Sequence, residues 1–485
     1  MGMRNYWRRD QRAMSPFEGI RDFLNDLFNR QLLILKCIYI LLLAAFMILW
    51  PHFTIHQKAL GLTEYQTGIT MQVTSVLYIC QPFFTGVAGD KIGNYRILMA
   101  IISMITGVIA LLFPWIPSAV VQIVPSNISD VALGNLSSET SSIPSPNRMM
   151  GEVDASHQQL TFWIYITVRS VYGACNGATL IFFDAAVMAN VQKSSISYGY
   201  QRAWGTVGAI ISSYLSGVIV EKTGGFNEIF YASAGLQMVA GILMLGIRID
   251  YKVPATSLTK DLLLHCFKAE VLLFFGAVTA AGMYVGYIET FMYRYLSDLG
   301  ATPVLIGLTV TIGAPFEFIL TIVTSFFLKL VGHPQLIVIG MLSFVIRFLG
   351  LSFLQDPWWV LPLQILESVV NGLLFTVAIM YCTVLFPTET ITSARGVIGI
   401  LYSGIGRLLG ITVGSEILER LGHIITFRIW ACIAFASTAA YFLAFIAIKN
   451  CRSRQFSLKD IQGHEQTKNS KEQSGIYNEA WDGCI

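Results

Sequence analysis

Charge is what this 485-residue chain has least of. Asp, Glu, Lys and Arg make up 13% of it, about half the share of a soluble domain, while 54% is hydrophobic. That shortage excludes a soluble enzyme. The sequence also lacks a phosphate-binding Gly-rich loop ending in Lys and Ser or Thr, a Cys/His set with zinc spacing and a nucleophile triad, so neither cofactor nor metal is expected. Its 8 cysteines form no disulfide framework: Cys37, Cys80, Cys175, Cys382 and Cys432 fall inside apolar runs. Cleavable leader features are missing too; a polar segment precedes the first apolar run, which is expected to stay in the bilayer.

What is present is apolar runs of bilayer length, each needing about 20 residues at 1.5 Å rise. Twelve can be placed, near 32–51, 65–87, 97–116, 160–188, 202–220, 228–247, 270–296, 303–328, 335–354, 358–385, 396–417 and 424–448. The expected division is a cytoplasmic segment 1–31, a six-helix half 32–248 with a long outer loop 117–158, a cytoplasmic linker 249–269, a second half 270–448, and a polar tail 449–485 without regular structure. With the N-terminus inside, cytoplasmic segments hold 21 Lys and Arg, and outer segments only Lys58, Arg148, Lys222 and Arg420. That asymmetry puts both ends in the cytoplasm. Two Asn-x-Ser sequons, Asn127 and Asn135, fall in the outer loop, where glycans are expected. The basic residues of the first segment read as topology determinants, so nucleic acid is not an expected partner.

The chain writes one frame twice. "LGLTEYQTGIT" at 60–70 and "LGATPVLIGLT" at 299–309 share Leu-Gly, then Thr, Gly and Thr, at an offset of 239 residues. Gly93 lands on Gly332 at the same offset. Beyond the long loop the offset becomes 198, pairing Gly208 with Gly406, Glu221 with Glu419 and Gly224 with Gly422. One insertion, the loop, accounts for the change. The fold class is therefore an all-α polytopic membrane protein of two parallel six-helix repeats, an arrangement that places a solute site between the halves at mid-depth.

"GVAGDKIGNYR" after the second run resembles the major facilitator superfamily signature, with Gly86, Asp90, Lys91, Gly93 and Arg96 in place and Asn94 and Tyr95 where basic residues are usual. The resemblance implies an inner gate in which Asp90 approaches the eleventh helix near Arg395. The span 184–209 resembles the lactose-permease branch, and more closely the family of major facilitator superfamily domain-containing protein 6. That likeness makes Asp184 and Arg202 the substrate pair, with Trp204 near the stacking position and Asn371 where the permease has a His. A carboxylate that accepts and a guanidinium that donates can together read a polyhydroxyl solute.

Ionisable groups at bilayer depth cost about 2.5–3.5 kcal/mol each on insertion scales, so each needs a reason. Lys36 and Arg428 are expected to snorkel to the surfaces, Glu289 and Arg294 to pair with each other or meet water, and His52 and His56 to be wet interfacial residues. Arg169, in "RSVYGACNG", together with Glu317, Arg347, Glu367 and Arg407, lies deeper. The resemblance implies proton coupling for these five. The function expected is secondary transport of a small polar solute, with proton symport, by a monomer in the plasma membrane. The rival is a cell-surface receptor that keeps the fold without turnover.

Overall fold

In the computed structural model the residues described are 33–92, 96–119, 155–194, 198–247, 268–386 and 391–481. Nine helices among them are long and apolar enough to cross a membrane. The last of these, Ala394–Asn450, is two spans parted at Gly422, where φ is 74°. Helices Glu64–Ile92 and Asn227–Met244 bring the bundle to twelve. In order, the spans are Leu33–Ala59, Glu64–Ile92, Arg96–Trp115, Ala155–Ser194, Tyr198–Thr223, Asn227–Met244, Ala269–Asp298, Pro303–Val331, His333–Ser352, Pro357–Leu385, an eleventh from Ile391 and a twelfth after Gly422. The sequons Asn127 and Asn135, segment 1–31 and most of the linker lie outside the described residues.

The third span shows why such sequences sit in lipid. Ile101, Ile105, Val108 and Leu112 form an exposed stripe at helical spacing, while Met99, Ser103, Thr106 and Gly107 are buried against the sixth span. Lipid tails are as apolar as Leu, so packing between helices selects small and hydrogen-bonding residues instead. Accordingly Ser103 Oγ donates to the Gln237 carbonyl at 2.9 Å, and Gln237 Nε2 donates to Asn176 at 2.9 Å.

The repeated frame is repeated geometry. Gly61 and Gly300 both have positive φ, 85° and 83°, and both follow a helix end. Leu62 N–H bonds back to Gln57 and Ala301 N–H to Leu296, the same helix-ending closure in both halves. Thr63 and Thr302 then cap the next helix, accepting from Gln66 N–H and Leu305 N–H, each at 3.2 Å. Gly68 and Gly307 lie where that helix crosses the other half: a Cβ on Gly68 would meet Ser415, and one on Gly307 would meet the backbone of Ser213. Both offsets recur in one further contact, since Gly208 abuts the Ile40 carbonyl and Gly406 the Thr279 carbonyl. The packing follows suit. The first span lies along the fifth and sixth as the seventh does along the eleventh and twelfth, and the fifth meets the eighth as the second meets the eleventh.

Positive φ costs a side chain about 1–2 kcal/mol, and nothing lies within 4 Å of where a Gly300 Cβ would be. Gly300→Ala should therefore lower stability by about that amount through the backbone alone. Gly276→Ala, equally uncrowded but inside a regular helix, should be neutral or stabilising by up to ~1 kcal/mol. Thermal unfolding of both in one detergent checks this; equal shifts would remove φ as the cause.

Three expectations need correcting. Lys36 does not snorkel: it is 2% exposed, with Nζ 5.7 Å from the centre of the Trp204 ring, which holds the ammonium by its π face. His52 and His56 are buried, because Pro51 turns the first span through a short 3₁₀ segment and tucks Phe53–Ala59 into the half. There His52 Nε2 lies 3.0 Å from Ser216 Oγ. The polar tail continues the last helix to Trp481; residues 450–481 contain no proline to stop it.

Candidate functional site

A cavity of about 110 Å³ opens between the halves. Met47 and Trp50 of the first span form one wall. The seventh span contributes Glu289 and Tyr293, the eighth Thr309, Val310, Gly313, Ala314 and Glu317, and the tenth Gln364, Glu367, Ser368 and Asn371. Trp50 reaches it because the helix breaks at Pro51. Asn371 sits in a π-helical turn, Val369–Leu374, and accepts from Tyr402 at 3.3 Å, itself in a second π segment, Ile400–Gly406. Such turns carry one residue more than an α turn and recur at functional sites.

Three carboxylates face this space, and two are paired. Arg347, 1% exposed, donates through Nη2 to Glu367 at 2.6 Å and to Gln364 at 2.8 Å. Arg407 reaches Glu289 at 2.7 Å, with its guanidinium carbon 5.2 Å from the Trp50 ring centre. The carboxylate of Glu317 makes no ion pair or hydrogen bond among the described residues. The expected pairing of Glu289 with Arg294 is thus replaced. Residues five apart lie about 140° apart around a helix, so the two side chains face different neighbours.

Arg294 instead belongs to a network closing the bundle at the face where Glu64 lies. Its Nε stands 3.5 Å from Glu64, and its Nη1 donates to the Leu62 carbonyl at 3.0 Å and to Thr67 at 3.2 Å. His423 Nε2 lies 2.9 Å from the same Glu64 carboxylate and 3.7 Å from Asp298, which takes Lys58 as its cation. Lys58, Glu64 and Thr67 belong to the first half, Arg294, Asp298 and His423 to the second. Sequence reading missed this network, together with Trp50, Glu289 and Tyr293. The break at Pro51 was the one local signal for Trp50.

Among the residues named for substrate, Asn371 lines the cavity. Asp184 and Arg202 do meet, Oδ2 to Nη1 at 3.7 Å, with Tyr39 donating to Asp184 at 2.5 Å. They stand beyond the cavity, away from the Glu64 face: Arg202 is about 32 Å along its helix from Thr223, against about 21 Å from Pro303 to Glu317. Trp204 is turned to Lys36. Arg169 is fully buried in the first half, its guanidinium carbon 3.9 Å from the Phe53 ring centre and its three nitrogens without hydrogen-bond partners among the described residues. It does not line the cavity. Gly86, Asp90 and Lys91 fall in the helix Glu64–Ile92 with side chains outside the described residues, as is Gly93 altogether. Arg96 Nη1 donates to the Ile247 carbonyl at 3.3 Å, and Arg395 is exposed.

Twelve spans in two like halves around a central polar cavity define a multi-pass membrane protein of the major facilitator fold. The chain belongs to the MFS_1 like family, which it matches over residues 32–429. It is 32% identical over 88 residues to the major facilitator superfamily domain-containing protein 6-like protein B of Xenopus laevis, covering 18% of this chain and 14% of that one. It is 23% identical over 284 residues to the putative nucleoside transporter YegT of Escherichia coli (strain K12), 54% of this chain and 65% of that one. The match to the maltose permease of Geobacillus stearothermophilus is similar, 22% over 270 residues, 54% of this chain and 66% of that one. The chain thus spans less than two thirds of each of these relatives. The solved structure of the nucleoside transporter NupG superposes with a TM-score of 0.66 at 16% identity, over 85% of this chain and 98% of that one.

Proposed function

We propose that the chain carries a small polar solute across the membrane by alternating access, rocking its halves about the central cavity and drawing on a proton gradient. The observation that carries this reading is a charged cavity at the seam between halves that are locked together at one face only among the described contacts. A receptor needs no such closure on the far side of its site. Relatives whose names specify nucleosides and maltose support a hydroxyl-bearing solute.

In this reading the charge asymmetry sets the orientation: both ends are cytoplasmic, the membrane is the plasma membrane, and Asn127 and Asn135 carry glycans on the outer loop. The Glu64 face is then the outer one, and the cavity communicates with the cytoplasm past Asp184 and Arg202. Asp90, Lys91 and Arg96 serve the inner gate with Arg395. Glu317 and Glu367, set among Arg347 and Arg407, are the proton sites, and Arg169 bears on coupling from the first half. With an uncharged solute the coupling is symport.

Purified protein in liposomes, screened for solute uptake at two pH values, tests this. Uptake should be saturable, should change with the imposed pH difference, and should be lost in Arg202→Ala while the protein still inserts. Solute binding without accumulation at either pH would establish the receptor instead.

A further inference from the structure

We propose that the solute carries a positively charged nitrogen and that Glu317 is its counterion. The inference rests on the central cavity being the solute site and refines which solutes it accepts. It starts from charge. Glu289 has Arg407 at 2.7 Å and Glu367 has Arg347 at 2.6 Å, so each of these carboxylates is neutralised by a partner of its own. The next cation, Arg202, acts on Glu317 through space but has Asp184 at 3.7 Å. Of the three acids that line the cavity, Glu317 is thus the one whose carboxylate makes no ion pair or hydrogen bond among the described residues.

An ionised carboxylate partly withdrawn from water, as Glu317 is, is favoured when a cation or a proton joins it. An anionic solute would set a second unbalanced negative charge beside Glu317. A neutral solute would leave Glu317 uncompensated unless it were protonated. An ammonium group supplies both the charge and up to three donors for a carboxylate that has only acceptors to offer.

The remaining lining suits the rest of such a molecule. Thr309, Ser368 and Asn371 offer hydrogen bonds on the second-half side, and Met47 and Trp50 of the first span offer an apolar wall opposite. At about 110 Å³ the space equals the volume of about four waters, so the cation is small. Because one carboxylate holds either the ammonium or a proton, the two compete, and the coupling becomes an exchange.

Three probes of one length isolate the charge: 4-aminobutan-1-ol, butane-1,4-diol and 4-hydroxybutanoate. Their protection of the detergent-solubilised protein against thermal unfolding reads binding without requiring flux. A failed proposal is thus separable from a failed transport reading, which liposome uptake alone decides. The wild type should favour the amino alcohol by about tenfold in half-effective concentration over the diol, with the carboxylate weakest. Glu317→Gln, which removes no side-chain bond seen among the described residues, should abolish that preference. If the Gln form does not fold, Glu317→Asp should keep the order of the three probes with a smaller margin. Absence of any ammonium preference in the wild type, or its survival in Glu317→Gln, or a changed order in Glu317→Asp, overturns the proposal.

Discussion

Replacing Arg347 with methionine should destabilise the protein by about 3–5 kcal/mol, the largest loss expected from any single ion pair described above. The side chains of Arg347 and Glu367 are 2% and 21% exposed, so removing the guanidinium strands a carboxylate where little water reaches it. Gln364 loses its donor at the same time. Methionine keeps the length and apolar stem of the side chain, which confines the loss to charge and hydrogen bonding. Adding Glu367→Gln to Arg347→Met should recover a substantial part of the loss, because the stranded charge is the main penalty. The contrasting case is Arg420 with Glu416, a pair one helical turn apart and 74% and 53% exposed. Arg420→Ala should cost no more than ~1 kcal/mol. Thermal unfolding in one detergent, calibrated against a common reference, compares the three; similar losses for Arg347→Met and Arg420→Ala would show that burial does not set the strength of these pairs.

The second large effect is on the balance of access states. Glu64→Gln combined with Asp298→Asn removes both carboxylates that hold Lys58, Arg294 and His423 across the seam. Partly exposed pairs contribute about 0.2–1 kcal/mol each, so losing the network should shift the balance by about 1–2 kcal/mol, or roughly five- to thirtyfold. The shift should be away from closure at the Glu64 face. Ser368→Cys lines the cavity and can report it through labelling by a membrane-impermeant maleimide added at that face. Faster labelling in the double variant is the expected outcome. Unchanged labelling would mean that the glycine crossings at Gly68 and Gly307, rather than the charges, keep this face shut.

What could be read from the sequence was what is local or repeated. Turn, cap and crossing glycine follow one another within a dozen residues, and their recurrence at fixed offsets announces two equal halves before any contact is known. The meeting of Asp184 with Arg202 was legible for a related reason: the two lie on antiparallel neighbours joined by a short loop. Partners brought together only by folding were not legible. His423 and Glu64 are 359 residues apart, and no periodicity in either helix names the other. The same holds for Glu289 and Arg407, which belong to different spans of the second half. Glu289 and Arg294 were adjacent enough to invite a pairing that helical geometry forbids. Lys36 was misjudged because hydropathy records the cost of a charge in lipid but not an aromatic face waiting beside it.

The two π segments give the tenth and eleventh spans a mechanical property that straight helices lack. Each is a local defect: one surplus residue held within an otherwise regular rod. When such a defect migrates along its helix, every residue it passes turns by about 100° while both helix ends stay anchored. Asn371 rides on one defect, Arg407 begins the regular helix just after the other, and the Tyr402–Asn371 hydrogen bond ties the two together. A shift of either surplus residue by one position would re-aim a side chain at the cavity without moving the helix ends.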